Sequence, residues 1–290
     1  MHVVRTSGCK VNLLLNVLGR RPDGYHELES VMQPVAFYDQ LEFSRREKGV
    51  HLTCSNPALP VDATNLVCRA ATAFLRAARI NHGVALHLEK RIPRAAGLGG
   101  GSGNAAATLL GLNELFDQPL TSVQLDEIAG GLGSDVPFFL QNGPALALGR
   151  GETITPLKPF PALRGCHVLL AYPGFGVSTA WAYQRLSDHP ASLNGQANRA
   201  RSLITALAAL TLEKACAGFY NSLEAPVLGK YPILALFQEF LRANGAAVAL
   251  MSGSGSTTFA LVENKTKAEN LKDKFRTRFG ESSWLTVVPL

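Results

Sequence analysis

Arg91-Ile92-Pro93-Arg94-Ala95-Ala96-Gly97-Leu98-Gly99-Gly100-Gly101-Ser102-Gly103-Asn104-Ala105-Ala106-Ala107 is the stretch on which the reading of this 290-residue chain turns. Five glycines fall between positions 97 and 103, a density that lets the backbone take positive φ and approach a ligand closely. The alanine-rich run behind them is a strong helix former. Glycines that feed directly into a helix leave free N–H groups at its positive end, a site suited to a di- or triphosphate. The spacing places the helix start near Ser102. No Lys follows the glycines, so a Walker loop is excluded. Gly101-Ser102-Gly103-Asn104-Ala105-Ala106 fits a dinucleotide fingerprint only weakly, because no strand leads straight into it and Asp126 and Glu127 lie in a helical stretch.

Working outward, the spacing predicts strands at Val11–Leu18, Gln33–Phe43, Val50–Cys54 and Val84–Glu89, with a turn at 20–24. Leu66, Ala70, Phe74 and Leu75 predict a helix over 65–78. Thr121 or Ser122 caps a short helix to Ile128, and Gly133-Ser134-Asp135-Val136-Pro137 breaks the pattern before strands at Phe138–Leu148 and Glu152–Pro156. After Pro156–Pro161, the expected domain junction, come a strand at His167–Ala171, several helices, and a strand–loop–strand unit around Ser252–Thr258. Strands and helices that do not alternate regularly predict an α+β fold in two domains, 1–160 and 161–290, with the active site in the cleft between them.

Composition narrows the function classes. The chain is 47% hydrophobic and 17% charged, which excludes disorder. Its net charge of +6 is scattered; the basic stretch 265–278 has Ala268, Leu271, Phe275 and Phe279 at helical spacing, so its charges form a wet face and not a nucleic-acid footprint. Five cysteines without a C-x-x-C pair and no apolar leader point to reduced thiols in a cytoplasmic protein with no membrane partner. No histidine or cysteine spacing suggests zinc.

Two further residues stand at places where chemistry is commonly done. Asp135 lies in a break between helix and strand, where a side chain can face a cleft or simply cap a turn. Lys10 sits at the mouth of an apolar strand, where an ordinary strand-end lysine would also be at home.

The segment Pro93-x-x-x-Gly97-Leu98-Gly99-Gly100-Gly101-Ser102-x-Asn104-Ala105-Ala106 resembles the second motif of the GHMP kinases, which wraps the nucleotide phosphates. Ser252-Gly253-Ser254-Gly255-Ser256-Thr257, by itself a hairpin turn, resembles their third motif. Lys10-x-Asn12-Leu13 followed by Asp23-Gly24-Tyr25-His26 is similar to the first motif of the branch that acts on a cytidine-diphosphate-linked methylerythritol. Leu132-Gly133-Ser134-Asp135-Val136-Pro137-Phe138 resembles that branch's catalytic segment. Agreement in order along nearly the whole chain extends to Asn65-Leu66-Val67 and Asn221-Ser222-Leu223-Glu224.

The resemblance implies an ATP- and Mg²⁺-dependent kinase that phosphorylates the 2-hydroxyl of the methylerythritol moiety, a step of non-mevalonate isoprenoid precursor synthesis. It makes Asp135 the general base and Lys10 the cation that keeps it ionised and offsets phosphoryl charge. It assigns Pro93, Gly97, Leu98, Gly99, Gly100, Gly101, Ser102, Gly103 and Asn104 to the nucleotide, with Gly103 where relatives usually carry a second Ser. It assigns Asn12, Tyr25, His26, Thr179 and Tyr183 to the acceptor. Tyr25 would stack on cytosine, His26 would read its edge, and Tyr183, or Trp181 close by, would cover the second face. No acid cluster names metal ligands, and a monomer or weak homodimer is expected. The rivals are a GHMP kinase for homoserine or mevalonate, which have no base for Tyr25 and His26 to read, and a non-catalytic ligand sensor.

Overall fold

The computed structural model describes residues 2–290. In chain order its elements are β1 (His2–Arg20), β2 (His26–Arg46), β3 (Val50–Cys54), α1 (Leu66–Ala77), β4 (Gly83–Glu89), α2 (Gly100–Leu115), α3 (Ser122–Leu132), β5 (Ala145–Gly149), β6 (Thr153–Pro156), β7 (His167–Tyr172), α4 (Thr179–Arg185), α5 (Pro190–Leu193), α6 (Arg199–Ala209), α7 (Leu212–Ala215), β8 (Tyr220–Asn221), α8 (Glu224–Lys230), α9 (Pro232–Ala243), β9 (Val248–Met251), β10 (Thr258–Val262), α10 (Lys265–Phe279) and β11 (Trp284–Pro289). This is an α+β chain.

Its contacts divide it into two compact units, each assembled from three segments. The first holds residues up to Cys9, Phe37–Pro93 and Gly99–Asn142; the second holds Lys10–Ala36, Arg94–Leu98 and Gly143–Leu290. The strands β1 and β2 therefore contribute to both, and the unit edges do not coincide with the proline-rich stretch at 156–161.

In the first unit β4 pairs antiparallel with the C-terminal half of β2 (Leu41↔Leu88, Phe43↔Leu86) and parallel with β3. Helices α1, α2 and α3 bury Phe74, Leu109, Leu112 and Leu125 with Leu41, Phe43, Leu86 and Leu88 of the strands in one apolar core. The sequence builds these helices locally. Asn65 caps α1 by accepting from Val67 N–H at 2.9 Å. Thr121 and Gln124 form a reciprocal capping box on α3. Gly111 lets α2 lie flat on Phe43, since a Cβ there would stand 2.5 Å from the ring.

In the second unit β7, β9, β10 and β11 form an antiparallel sheet in the order β11-β7-β10-β9. Phe237, Leu241, Leu271 and Phe275 of α9 and α10 pack with its strand residues. Here β2 also pairs with β5 (Leu28↔Gly149), and β1 pairs parallel with β8 (Leu14↔Tyr220).

Two expectations change, and one strand is new. Phe138–Leu140 is a 3-10 turn and not the start of a strand, because Pro137 opens the turn and Phe139 N–H reaches back to Val136 C=O at 3.1 Å. The phosphate-loop helix begins at Gly100, two residues before Ser102, since Gly99 at φ +69° supplies the left-handed entry. The strand β11 had no counterpart in the sequence reading.

Candidate active site

In the second unit the glycine segment 94–98 is anchored through its carbonyls. Ala96 C=O accepts from Thr257 N–H (3.1 Å) and Leu98 C=O from Lys10 N–H (2.9 Å). Gly97 C=O accepts from Ser252 Oγ (2.9 Å) and Lys10 Nζ (3.2 Å). In a trans peptide the C=O and the next N–H point opposite ways, so these bonds turn the N–H groups of Gly97 and Leu98 away from the anchoring residues. Gly97 is glycine of necessity: at φ +78° its Cβ would stand 2.0 Å from Ser252 C=O. The Ser252–Thr257 loop is itself held by Asn221, whose Nδ2 donates to Met251 and Gly253 carbonyls at 2.8 Å each.

In the first unit α2 starts at Gly100 with no side-chain cap and no acid in its first turn. The first loop or helix N–H to find a backbone acceptor is that of Gly103, which donates to Gly99 C=O at 2.9 Å. Among the described residues the N–H groups of 99–102 make no hydrogen bond, which leaves a run of donors for an anion at the positive helix end. Pro93 is half-buried just ahead of this loop.

A buried polar network that the sequence reading missed fixes this first turn. Asp39, fully buried, accepts from Arg91 and Ile92 N–H (2.7 and 2.8 Å), from Asn104 Nδ2 (2.8 Å) and from the Lys90 ammonium. Lys90 Nζ also donates to Asn104 Oδ1 (3.1 Å), and Asn104 Nδ2 to Ser7 Oγ (2.9 Å). Asn104 was expected to touch the nucleotide, yet its amide is committed to Asp39, Lys90 and Ser7. It holds the helix start in place from behind. Gly103 packs there too: a Cβ would stand 2.5 Å from Gly8 C=O and 3.0 Å from Ser7 Oγ.

Lys10 is buried, and its ammonium donates to Asn12 Oδ1 at 2.6 Å as well as to Gly97 C=O. Asn12 Nδ2 in turn donates to Ser30 Oγ (2.8 Å), which donates to Leu14 C=O (2.6 Å). The expected catalytic lysine and the expected substrate residue Asn12 are thus one hydrogen-bonded chain. Thr179 Oγ1 lies 2.8 Å from Ser254 Oγ, so the start of α4 meets the Ser252–Thr257 loop. Asp135 is half-buried in the first unit, between the end of α3 and the turn at Pro137, where Val136 N–H donates to Gly133 C=O at 3.0 Å.

Tyr25, His26 and Tyr183 belong to the second unit. His26 and Tyr183 stand with ring centroids 5.1 Å apart at 33°. Trp181 instead meets Tyr231 edge-on at 6.3 Å and carries Lys230 Nζ 4.1 Å above its ring. Burial, reinforced by the charge of Arg20, holds the His26 pKa below its ordinary value, so its ring is neutral near pH 7 and offers one N–H donor and one acceptor. Tyr25 is 55% exposed.

Comparison with known proteins places this arrangement. The model of the GHMP kinase N-terminal domain matches residues 65–143, and that of the GHMP kinase C-terminal domain matches 193–281. The chain belongs to the GHMP kinase family and is a small-molecule phosphotransferase. Within the family it stands with the 4-diphosphocytidyl-2-C-methyl-D-erythritol kinases. It is 42% identical over 285 residues to the one from Synechococcus sp. (strain JA-2-3B'a(2-13)), covering 96% of this chain and 91% of the relative. A crystal structure of 4-(cytidine 5'-diphospho)-2C-methyl-D-erythritol kinase is similar at TM-score 0.81 and 34% identity, over 99% of this chain and 100% of that one. Homoserine kinase from Cytophaga hutchinsonii shares the fold at TM-score 0.75 and 18% identity, over 100% of this chain and 95% of that one.

Proposed function

We propose that the chain transfers the γ-phosphoryl group of ATP to the 2-hydroxyl of 4-diphosphocytidyl-2-C-methyl-D-erythritol. The observation that carries this acceptor is the Tyr25, His26 and Tyr183 set. Two rings and a neutral imidazole suit a flat heterocycle with donors and acceptors on its edge, and mevalonate or homoserine would leave them without a ligand. Identity to relatives of that name supports the same acceptor.

Asp135 takes the proton of the attacking hydroxyl as its oxygen bonds to the γ-phosphorus and the bond to the ADP oxygen breaks. Lys10 supplies positive charge toward the transferring group, and its bonds to Asn12 and Gly97 fix the ammonium in position. The free N–H groups of 99–102 hold the phosphates. Among the described residues no group of three or more His, Cys, Asp or Glu could hold a metal. A Mg²⁺ ion carried on the nucleotide would be the cation that such a transfer uses. Bound there, it would neutralise charge on the β- and γ-phosphates.

The test is ADP release from ATP and Mg²⁺ with diphosphocytidyl-methylerythritol, mevalonate, homoserine and galactose offered separately. Turnover with the first alone is expected. Turnover with another acceptor would overturn the cytosine assignment, and nucleotide binding without turnover would favour a sensor.

A further inference from the structure

Arg150 enters neither the sequence motifs nor the chemistry above, yet it is the residue that meets Tyr25. Its guanidinium carbon lies 4.7 Å from the centre of the Tyr25 ring. The contact is built, not incidental. The strands β5 and β6 are joined by the turn Gly149-Arg150-Gly151-Glu152, and Gly149 is in register with Leu28 of β2, which sets this turn beside the strand end that carries Tyr25 and His26. Gly149 at φ +73° starts the turn, and Gly151 N–H closes it on Leu148 C=O at 3.1 Å.

Glu152 then folds back over the turn. Its Oε2 accepts from Arg150 N–H at 2.7 Å, and Oε1 from Arg150 Nε at 3.4 Å. A Cβ at Gly149 would stand 3.2 Å from that carboxylate and press on the clamp, and the φ of +73° favours glycine there in any case. Partial burial would by itself push the Glu152 pKa up, but the N–H bonds from its own residue and Arg150, with the guanidinium charge, outweigh it and hold the group ionised. Tyr25 is fixed from its other end as well. Its N–H donates to Asp23 Oδ1 at 3.1 Å, and Asp23 is paired with Arg21, which reaches Glu27 at 2.7 Å.

One face of Tyr25 is thus occupied by a cation held on a clamped turn, while the residue as a whole remains 55% exposed. We propose that Arg150 is a positioning residue for the acceptor: it backs Tyr25 from one side and holds the ring as a platform whose opposite face takes the cytosine. This rests on the acceptor assigned above and deepens it. An exposed aromatic side chain free to rotate would have to be ordered by the ligand. A ring already held by a guanidinium is ordered before the ligand arrives, and that difference appears in acceptor affinity. Arg150 touches neither reacting atom, so the rate of phosphoryl transfer once both substrates are bound does not depend on it.

The experiment is a double-mutant cycle of Arg150→Ala and Tyr25→Ala, read as kcat, KM for the acceptor and KM for ATP, together with calorimetric binding of cytidine monophosphate. Arg150→Met, which keeps the apolar stem, controls for damage to the turn. The Arg150→Ala and Arg150→Met proteins are expected to raise acceptor KM, and the Kd of cytidine monophosphate, about three- to tenfold, as loss of a cation–π contact implies. Their kcat and KM for ATP should stay within about twofold. Arg150→Ala should add nothing in the Tyr25→Ala background, because it acts through that ring. An unchanged acceptor KM in a wild-type enzyme that does turn over the cytidine substrate would overturn this inference alone. The same loss with and without Tyr25 would also overturn it, by showing that the guanidinium meets the substrate directly. Failure of the wild-type chain to turn over the cytidine substrate or bind cytidine monophosphate would instead overturn the acceptor assignment, and this inference with it.

Discussion

Replacing Asp39 by Asn tests how firmly the start of α2 is held. The carboxylate is fully buried and takes four hydrogen bonds, from two backbone N–H groups, the Asn104 amide and the Lys90 ammonium. The Lys90 side chain is only 5% exposed, so it has little water to fall back on. In the Asp39→Asn protein, one amide orientation keeps the oxygen on Arg91 and Ile92 N–H and turns an NH₂ toward two donors. The other satisfies Lys90 and strands the two backbone groups, at about 1–3 kcal/mol each. Breaking one side of a buried ion pair costs about 3–5 kcal/mol, so either orientation leads to a loss of about 3 kcal/mol or more. Urea unfolding measures this: with an m-value near ~2 kcal/mol/M the midpoint falls by about 1.5 M. Because Asn104 loses its tether, KM for ATP should rise in the folded fraction as well. Adding Lys90→Met removes the stranded cation, so the double variant should lose at least about 2 kcal/mol less than the sum of the singles. A single-variant loss below about 1 kcal/mol, or strict additivity, would refute the assigned network.

Other outcomes follow from the same geometry. Asp135→Asn should lower kcat by about 10²–10⁴ with the fold intact; a loss below about tenfold in a steady-state assay would remove Asp135 from the role of base. Gly103→Ala gains about 1 kcal/mol of helix propensity but must push Gly8 C=O away from a contact of 2.5 Å, an overpacking cost of about 1–3 kcal/mol. A net loss of about 1 kcal/mol in urea unfolding, with a raised KM for ATP, is expected. Burial raises the Glu224 pKa although Met251 N–H and Gln238 donate to it. Glu224→Ala should therefore cost about 1–3 kcal/mol by stranding those donors, whereas Glu224→Gln, which keeps the oxygen, should stay within about 1 kcal/mol of wild type. Since the folded His26 pKa lies below its ordinary value, the neutral ring proposed to read cytosine is already the majority form at about pH 6.5 and grows more so above it. Affinity for cytidine monophosphate should change little between about pH 7 and 8 and fall in acid solution as the ring takes up a proton, and His26→Gln should remove that fall.

Much of this was legible in the sequence because it is local. The glycine loop, the Asn65 cap of α1 and the Thr121 cap of α3 each depend on residues within a few positions of one another. The Asp39–Lys90–Asn104 network depends on residues 14 to 65 positions apart, which no local motif joins. A signal was present: Asp39 shares the strand face of Leu41 and Phe43, all fully buried, and an acid in that register requires a buried partner. Arg150 left no such trace, because its meaning comes from the register of β5 on β2. The strand expected at Phe138 failed for a local reason, the proline that opens a turn before two phenylalanines that would suit a strand equally well. The long reach of β1 and β2 was underestimated, since each runs past its continuous apolar stretch into polar residues.

That reach has a consequence for how the chain is made. Leu14 and Leu15 take Tyr220 and Asn221 as parallel neighbours, some two hundred residues downstream. During synthesis the strand that carries Lys10 and Asn12 emerges among the first residues, and this part of its pairing must wait until most of the polypeptide has followed. Neither compact unit is a continuous stretch of chain, so no single cut between consecutive residues separates the two: a chain ending at Asn142 holds every segment of the first unit but also Lys10–Ala36 and Arg94–Leu98 of the second. A split or recombination point placed at the unit edges 9/10 or 36/37 would sever β1 or β2. The strand made first thus has one neighbour, β2, that follows at once and another, β8, that comes among the later segments.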